Sequence, residues 1–121
     1  MWGKYSSQPN KSVINLINNL KLKDDSIIVF CHEGFITYFL NSKKSKYIHP
    51  VTKPDSMTFN EYIITCKINC IYFSEVFNYD NMYKNDTSWI NFLKRPNYYG
   101  FQTFNVAGSN RKIFIKSSLL L

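Results

Sequence analysis

The sequence predicts an α/β fold: three layers around a mostly parallel sheet of about five strands, with a C-terminal antiparallel hairpin. Three observations predict it. Ser26-Ile-Ile-Val-Phe-Cys31 is an apolar, β-branched run without alternation, as expected of a strand covered on both faces. Helical periodicity lies on either side of it, with Val13, Leu16, Ile17 and Leu20 before and Phe35, Ile36, Phe39 and Leu40 after. Near the end, Tyr98 to Val106 and Arg111 to Lys116 read as two strands, with the turn composition Gly108-Ser-Asn110 between them.

Taken in order, a first helix is expected over residues 9–20. Pro9 suits its first turn, where a missing N–H costs nothing. Asp24-Asp25 marks the turn before the central strand. His32-Glu33-Gly34 turns the chain into a second helix, which Asn41-Ser42 ends. Tyr47-Ile-His49 is a short strand closed by Pro50, and Pro54-Asp55-Ser56 signals a loop. Thr58-Phe-Asn-Glu61 matches a capping box, which favours a helix from Phe59 to about Lys67 over a continuous strand from Tyr62 to Phe73. Cys70-Ile-Tyr-Phe73 is the next buried strand. Residues 74–85 are loop, and Asp86 or Thr87 caps a helix carrying Trp89, Ile90 and Leu93 that ends before Pro96. Numbering the strands along the chain, the expected spatial order is second, first, third, fourth, fifth.

The 121 residues form one domain, residues 1–121, large enough to bury roughly two-thirds of the surface its unfolded chain exposes. A 17% aromatic content favours strands and leaves aromatic surface for a partner. The formal charge is +7, with eight basic residues in the first sixty positions and seven in the rest. Lys43, Lys44 and Lys46 form the densest cluster. They read either as a solvated helix end or as a contact for an anionic lipid or phosphate surface. Nothing of the RNA- or DNA-recognition motifs is present, so no specific nucleic acid is expected.

Cys31, Cys66 and Cys70 make an odd count, which is not a disulfide framework, and with His49 they do not complete a zinc site. Neither metal nor cofactor is expected. Met1-Trp2-Gly3-Lys4 leads into polar residues rather than a signal-peptide core, and the longest apolar run, Ile27 to Cys31, is far short of a membrane span. Asn10-Lys-Ser and Asn85-Asp-Thr match the glycosylation pattern, which an asparagine-rich chain meets by chance.

Polar side chains delivered by a central strand into a turn are how α/β folds build ligand sites. His32 and Glu33 occupy that turn. Imidazole titrates near neutrality and serves as base or nucleophile. As ordinary turn residues, Glu33 favours the helix start and Gly34 permits the tight turn. With Lys46, Tyr47 and His49 from the following strand, they form the candidate ligand-binding set. The aromatic clusters Tyr98-Tyr99-Gly-Phe101 and Tyr79 to Tyr83 read as core or sheet face, or as platforms for a sugar ring or a lipid interface.

Two resemblances follow from these residues. The string IIVFCHEGFITYFL, Ile27 to Leu40, is similar to the second histidine block of the histidine phosphatase superfamily, which would make His32 part of a phosphoryl-transfer site. That superfamily also uses an Arg-His-Gly block on an earlier strand, and residues 1–31 contain neither Arg nor His. The second resemblance spans most of the chain. Asp24-Asp-Ser-Ile-Ile-Val-Phe30, Ile36-Thr-Tyr-Phe-Leu40, Ser45-Lys-Tyr-Ile-His-Pro50, Trp89-Ile-Asn-Phe-Leu93, Tyr99-Gly-Phe101 and Lys112-Ile-Phe-Ile-Lys116 together resemble the soluble tail domain of membrane glycosyltransferases that use lipid-linked sugars. These are relatives of the protein O-mannosyltransferases and aminoarabinose transferases.

In that family the catalytic acids belong to the membrane-embedded part. The resemblance therefore implies a non-catalytic extracytoplasmic domain, membrane-associated through its partner, that helps shape a substrate cavity. Its partners would be the embedded transferase portion and a lipid-linked sugar. His32-Glu33 departs from the aromatic or small turn residues of the family. Without the resemblance, the expectation is a cytoplasmic protein.

Overall fold

The computed structural model describes residues 8–23, 26–42, 44–73, 83, 85–107 and 111–121. The helices are α1 (Gln8–Asn19), α2 (Phe59–Thr65) and α3 (Thr87–Lys94). The strands are β1 (Ser26–Phe30), β2 (Lys44–Ile48), β3 (Cys70–Phe73), β4 (Phe101–Asn105) and β5 (Lys112–Lys116). They form one mixed five-stranded sheet in the order β2-β1-β3-β5-β4. β1 pairs parallel with β2 and β3, while β5 runs antiparallel to both β3 and β4.

The α/β class, the five strands and the C-terminal hairpin match the sequence reading, but two points are corrected. First, β5 rather than β4 lies beside β3, so the parallel pairing is confined to the first three strands. The burial pattern gives the reason. Ile113, Phe114 and Ile115 of β5 are all buried, whereas β4 exposes Gln102, Thr103 and Asn105 and takes the edge. Second, the segment after His32-Glu33 is a 3-10 helix, Gly34–Phe39, not an α-helix. It is six residues long and starts without a side-chain cap, too little to sustain an α-helix by itself.

β1 is buried on both faces, as its unbroken apolar run predicts. Ile27, Val29 and Cys31 join a cluster with Val13, Ile14 and Ile17 of α1, Ile36, Tyr72, Ile113 and Ile115. Ile28 and Phe30 join the other, with Phe59 and Ile63 of α2, Trp89 and Phe92 of α3, Phe101 and Phe114. In the second cluster Phe92 packs edge-on against both Phe101 and Phe114 at centroid distances of 5.4 and 5.1 Å.

Local sequence sets the element ends. The capping box forms: Thr58 Oγ1 accepts from the Glu61 amide at 3.1 Å and Glu61 Oε1 from the Thr58 amide at 2.9 Å. α2 closes in a Schellman turn, with the Ile68 amide donating to the Ile63 carbonyl and the Lys67 amide to the Ile64 carbonyl. Asp86 caps α3 through Ser88 and also accepts from the Phe59 amide at 2.6 Å, so one carboxylate serves the starts of two helices. Burial works against the charge on Asp86, but the hydrogen bonds from Ser88, Phe59 and Trp89 outweigh it and hold its carboxyl below the usual range.

The tail is tied back onto the chain. Leu119 is buried, Leu120 bridges Leu22, and the Lys23 amide donates to the Leu119 carbonyl at 2.8 Å. Lys44 and Lys46 are exposed on the edge strand β2, where lysine blocks pairing with another chain. Their position replaces the helix end expected from sequence. Lys43, the Gly108-Ser-Asn110 turn and most of residues 74–85 lie outside the described residues. Of the second aromatic cluster Tyr83 is described, and it is buried with its hydroxyl donating to the Pro50 carbonyl at 2.6 Å.

Candidate functional site

The carboxyl ends of β1 and β2 meet at one edge of the sheet. The Cys31 amide donates to the Ile48 carbonyl and extends the pairing one residue beyond β1, so His32 and His49 leave the sheet side by side. Their rings meet edge to face, 4.4 Å between centroids and 79° between planes. His49 Nδ1 accepts from the Val51 amide at 3.2 Å, which leaves the proton of the neutral ring on Nε2. Burial, reinforced by His49, lowers the His32 pKa to about 4, so His32 is neutral at physiological pH.

Tyr47 and Gly34 also meet. The tyrosine ring lies directly over Gly34, in the space a Cβ there would fill. This close approach, rather than a special backbone angle, is what requires glycine. Tyr47 remains 47% exposed beyond that contact. Lys46 stands apart. It pairs with Ile28 in the register and Tyr47 with Val29, so the two face opposite sides of the sheet. The structure thus brings His32 to His49 and Tyr47 to the Glu33-Gly34 turn, and leaves Lys46 exposed on the strand.

Glu33 points inward from the turn. Its Oε2 is buried and has no hydrogen-bond partner among the described residues. Its charge is felt by Cys31 and by Tyr72, which places the carboxylate close to both. The Tyr72 hydroxyl donates to Asn10 Oδ1 at 2.7 Å, and Arg111 Nη1 donates to Asn10 Oδ1 at 2.9 Å and to the Tyr72 hydroxyl. Burial pushes the Cys31 thiol and the Tyr72 phenol each up to about 12, so both stay protonated.

Sequence reasoning missed Asn10, Tyr72 and Arg111. One signal was legible: Tyr72 is the polar-tipped residue in an otherwise apolar strand, and a buried tyrosine hydroxyl needs a partner. Asn10, noted for its glycosylation pattern, is 3% exposed and committed to that network. Cys66 ends α2 and Cys70 begins β3, and all three cysteines are free thiols. Among the described residues no cluster of His, Cys, Asp and Glu gathers as a metal site, and no helix is long and apolar enough to cross a membrane.

Compared with protein-family models, curated proteins and solved structures, the chain matches none.

Proposed function

We propose that the chain is a non-catalytic binding domain that works with a membrane-embedded glycosyltransferase using lipid-linked sugars, with the sheet as the middle of three layers. The carboxyl edge of β1 and β2 is its recognition surface, and the resemblance of the sequence to that family's soluble tail supplies the partner.

The observation that carries the reading is the protonation state of the edge. His32 is neutral, while Cys31 and Tyr72 hold their protons to about pH 12. The edge therefore offers the neutral His32 imidazole and the half-exposed Tyr47 ring as hydrogen-bonding groups. Such groups suit recognition of a neutral polar ligand or partner surface better than covalent chemistry.

A hydrolase acting through His32 has less support. Arg111, the arginine at this edge among the described residues, has Nη1 committed to Asn10 and Tyr72. Hydrolysis of a generic phosphate ester by the wild-type chain, absent in His32→Ala, would restore that reading.

The main test is to read the natural transcript upstream of Met1 and to fractionate cells carrying the tagged gene. Membrane spans upstream, or recovery of the chain in membranes with sugar-transfer activity, support the proposal. A free-standing, wholly soluble product overturns it.

A further inference from the structure

The opposite, amino-terminal edge of the sheet carries a second constellation. Lys23 precedes β1, Lys67 and Asn69 precede β3, and Lys116 ends the antiparallel β5, so all four gather at this edge. Together with Ile64, Ser118 and Leu119 they line an open cleft of about 510 Å³. No described residue in the lining is acidic. Asp24 and Asp25 follow Lys23 in the sequence and lie outside the described residues. The three lysines are exposed, and no hydrogen bond or ion pair with another described residue engages their ammonium groups. The backbone fixes their spacing: the Lys23 amide is bonded to Leu119, and the Lys116 amide to the Asn69 carbonyl.

Lys67 adds an independent observation. It occupies the left-handed position of the Schellman turn at φ 55°, the one non-glycine residue with positive φ among those described. Glycine is the residue that relieves strain there. The chain keeps a lysine at a position where local stability favours glycine, and that lysine lines the cleft.

We infer that this cleft is an anion site for a phosphate-bearing group, held by Lys23, Lys67 and Lys116 with the exposed Ser118 hydroxyl as a neutral partner. Three cations from three separate segments suit the multiple charge of a phosphate. Ile64, 66% exposed, lines one side and suits an apolar group attached to the phosphate. The site lies across the sheet from the histidine edge and does not depend on the transferase reading.

The test is titration of the isotope-labelled chain with inorganic phosphate at constant ionic strength, followed by amide chemical shifts. A parallel arm measures co-sedimentation with phosphatidylcholine vesicles, with and without phosphatidylglycerol. We expect saturable shifts centred on Lys23, Lys67, Asn69, Lys116 and Ser118. Affinity should weaken about fivefold for each of Lys23→Gln, Lys67→Gly and Lys116→Gln. Lys112→Gln, exposed at the opposite edge of the sheet where it pairs with Phe73, should leave it unchanged.

Lys67→Gly separates the site from folding, since its Tm should equal or exceed that of the wild type while binding falls. Sedimentation that requires phosphatidylglycerol and falls in Lys67→Gly identifies a lipid headgroup as the source; binding of free phosphate alone identifies a soluble phosphoester. Non-saturating shifts, equal weakening by Lys112→Gln, or no binding in either arm overturns the inference.

Discussion

Asn69 and Ile28 are bonded twice: the Ile28 amide donates to Asn69 Oδ1 at 2.8 Å, and the Asn69 amide donates to the Ile28 carbonyl at 3.2 Å. Asn69 Nδ2 also donates to the Ser26 carbonyl at 2.9 Å. The side chain thus does the work of backbone between β1 and β3 just before β3 begins. Asn69→Ala strands the Ile28 amide and the Ser26 carbonyl, and we expect a loss of about 2–3 kcal/mol. Asn69→Asp keeps the acceptor and should lose about half as much. Urea unfolding at an unchanged m-value measures both.

Gly34→Ala places a methyl group where the Tyr47 ring now lies. Because Tyr47 is half-exposed, the ring can swing outward, and the expected cost is about 1–2 kcal/mol. Adding Tyr47→Ala removes the clash. A double-mutant cycle should then give a coupling of about 1 kcal/mol, whereas additive effects would show that the ring does not hold that position in solution.

Asp86 links α2 and α3. Asp86→Ala removes the acceptor for Phe59 and Ser88 at once and should cost about 2–3 kcal/mol, more than an ordinary single cap. Ser88→Ala, which removes the hydroxyl that donates to Asp86 at 2.7 Å and accepts from the Asn60 amide, should cost less. Hydrogen exchange at the Phe59 and Asn60 amides reports the loss locally, since Asn60 donates to Ser88 Oγ at 3.0 Å.

Acid should weaken the fold in two stages. In the unfolded chain His32 takes up its proton below its ordinary 6.5, but in the folded chain only below about 4. Between these values the unfolded state binds more protons, so stability falls as pH drops from 6.5 to 4. The limit is about 1.4 kcal/mol per pH unit, and solvent around the partly exposed ring reduces the total to about 1–2 kcal/mol. The Asp86 contribution is present above its ordinary 3.8 and is lost as pH falls through its lower folded value. Thermal unfolding of His32→Gln should lack the upper stage and retain the lower one.

Residues whose own chemistry sets local structure were legible in the sequence. The Ser26–Phe30 run marked a doubly buried strand, Thr58 and Glu61 marked the start of α2, and Asp86 marked the start of α3. Long-range pairing was not. Whether β4 or β5 sits beside β3 depends on how many faces of each are covered, and in the sequence Phe101, Thr103 and Asn105 alternate with Gln102, Phe104 and Val106, which mixes apolar and polar residues on both faces. At the site, the His32 and Glu33 turn followed from the strand before it. The approach of His49 depends on the β1–β2 register, and the Glu33 environment depends on Tyr72, which sequence distance concealed. Lys46 was grouped with them by proximity along the chain, and strand alternation turns it to the opposite side from Tyr47.

The Asn10–Tyr72–Arg111 network joins positions 101 residues apart. During synthesis, α1 leaves the ribosome long before its arginine partner exists. Its apolar stripe of Val13, Ile14 and Ile17 has no complete seat until Ile113 and Ile115 arrive to finish the same cluster. Closure is therefore a late event, dominated by non-local pairing and slow by that measure. Until then the nascent chain presents its first helix to chaperones and to neighbouring chains.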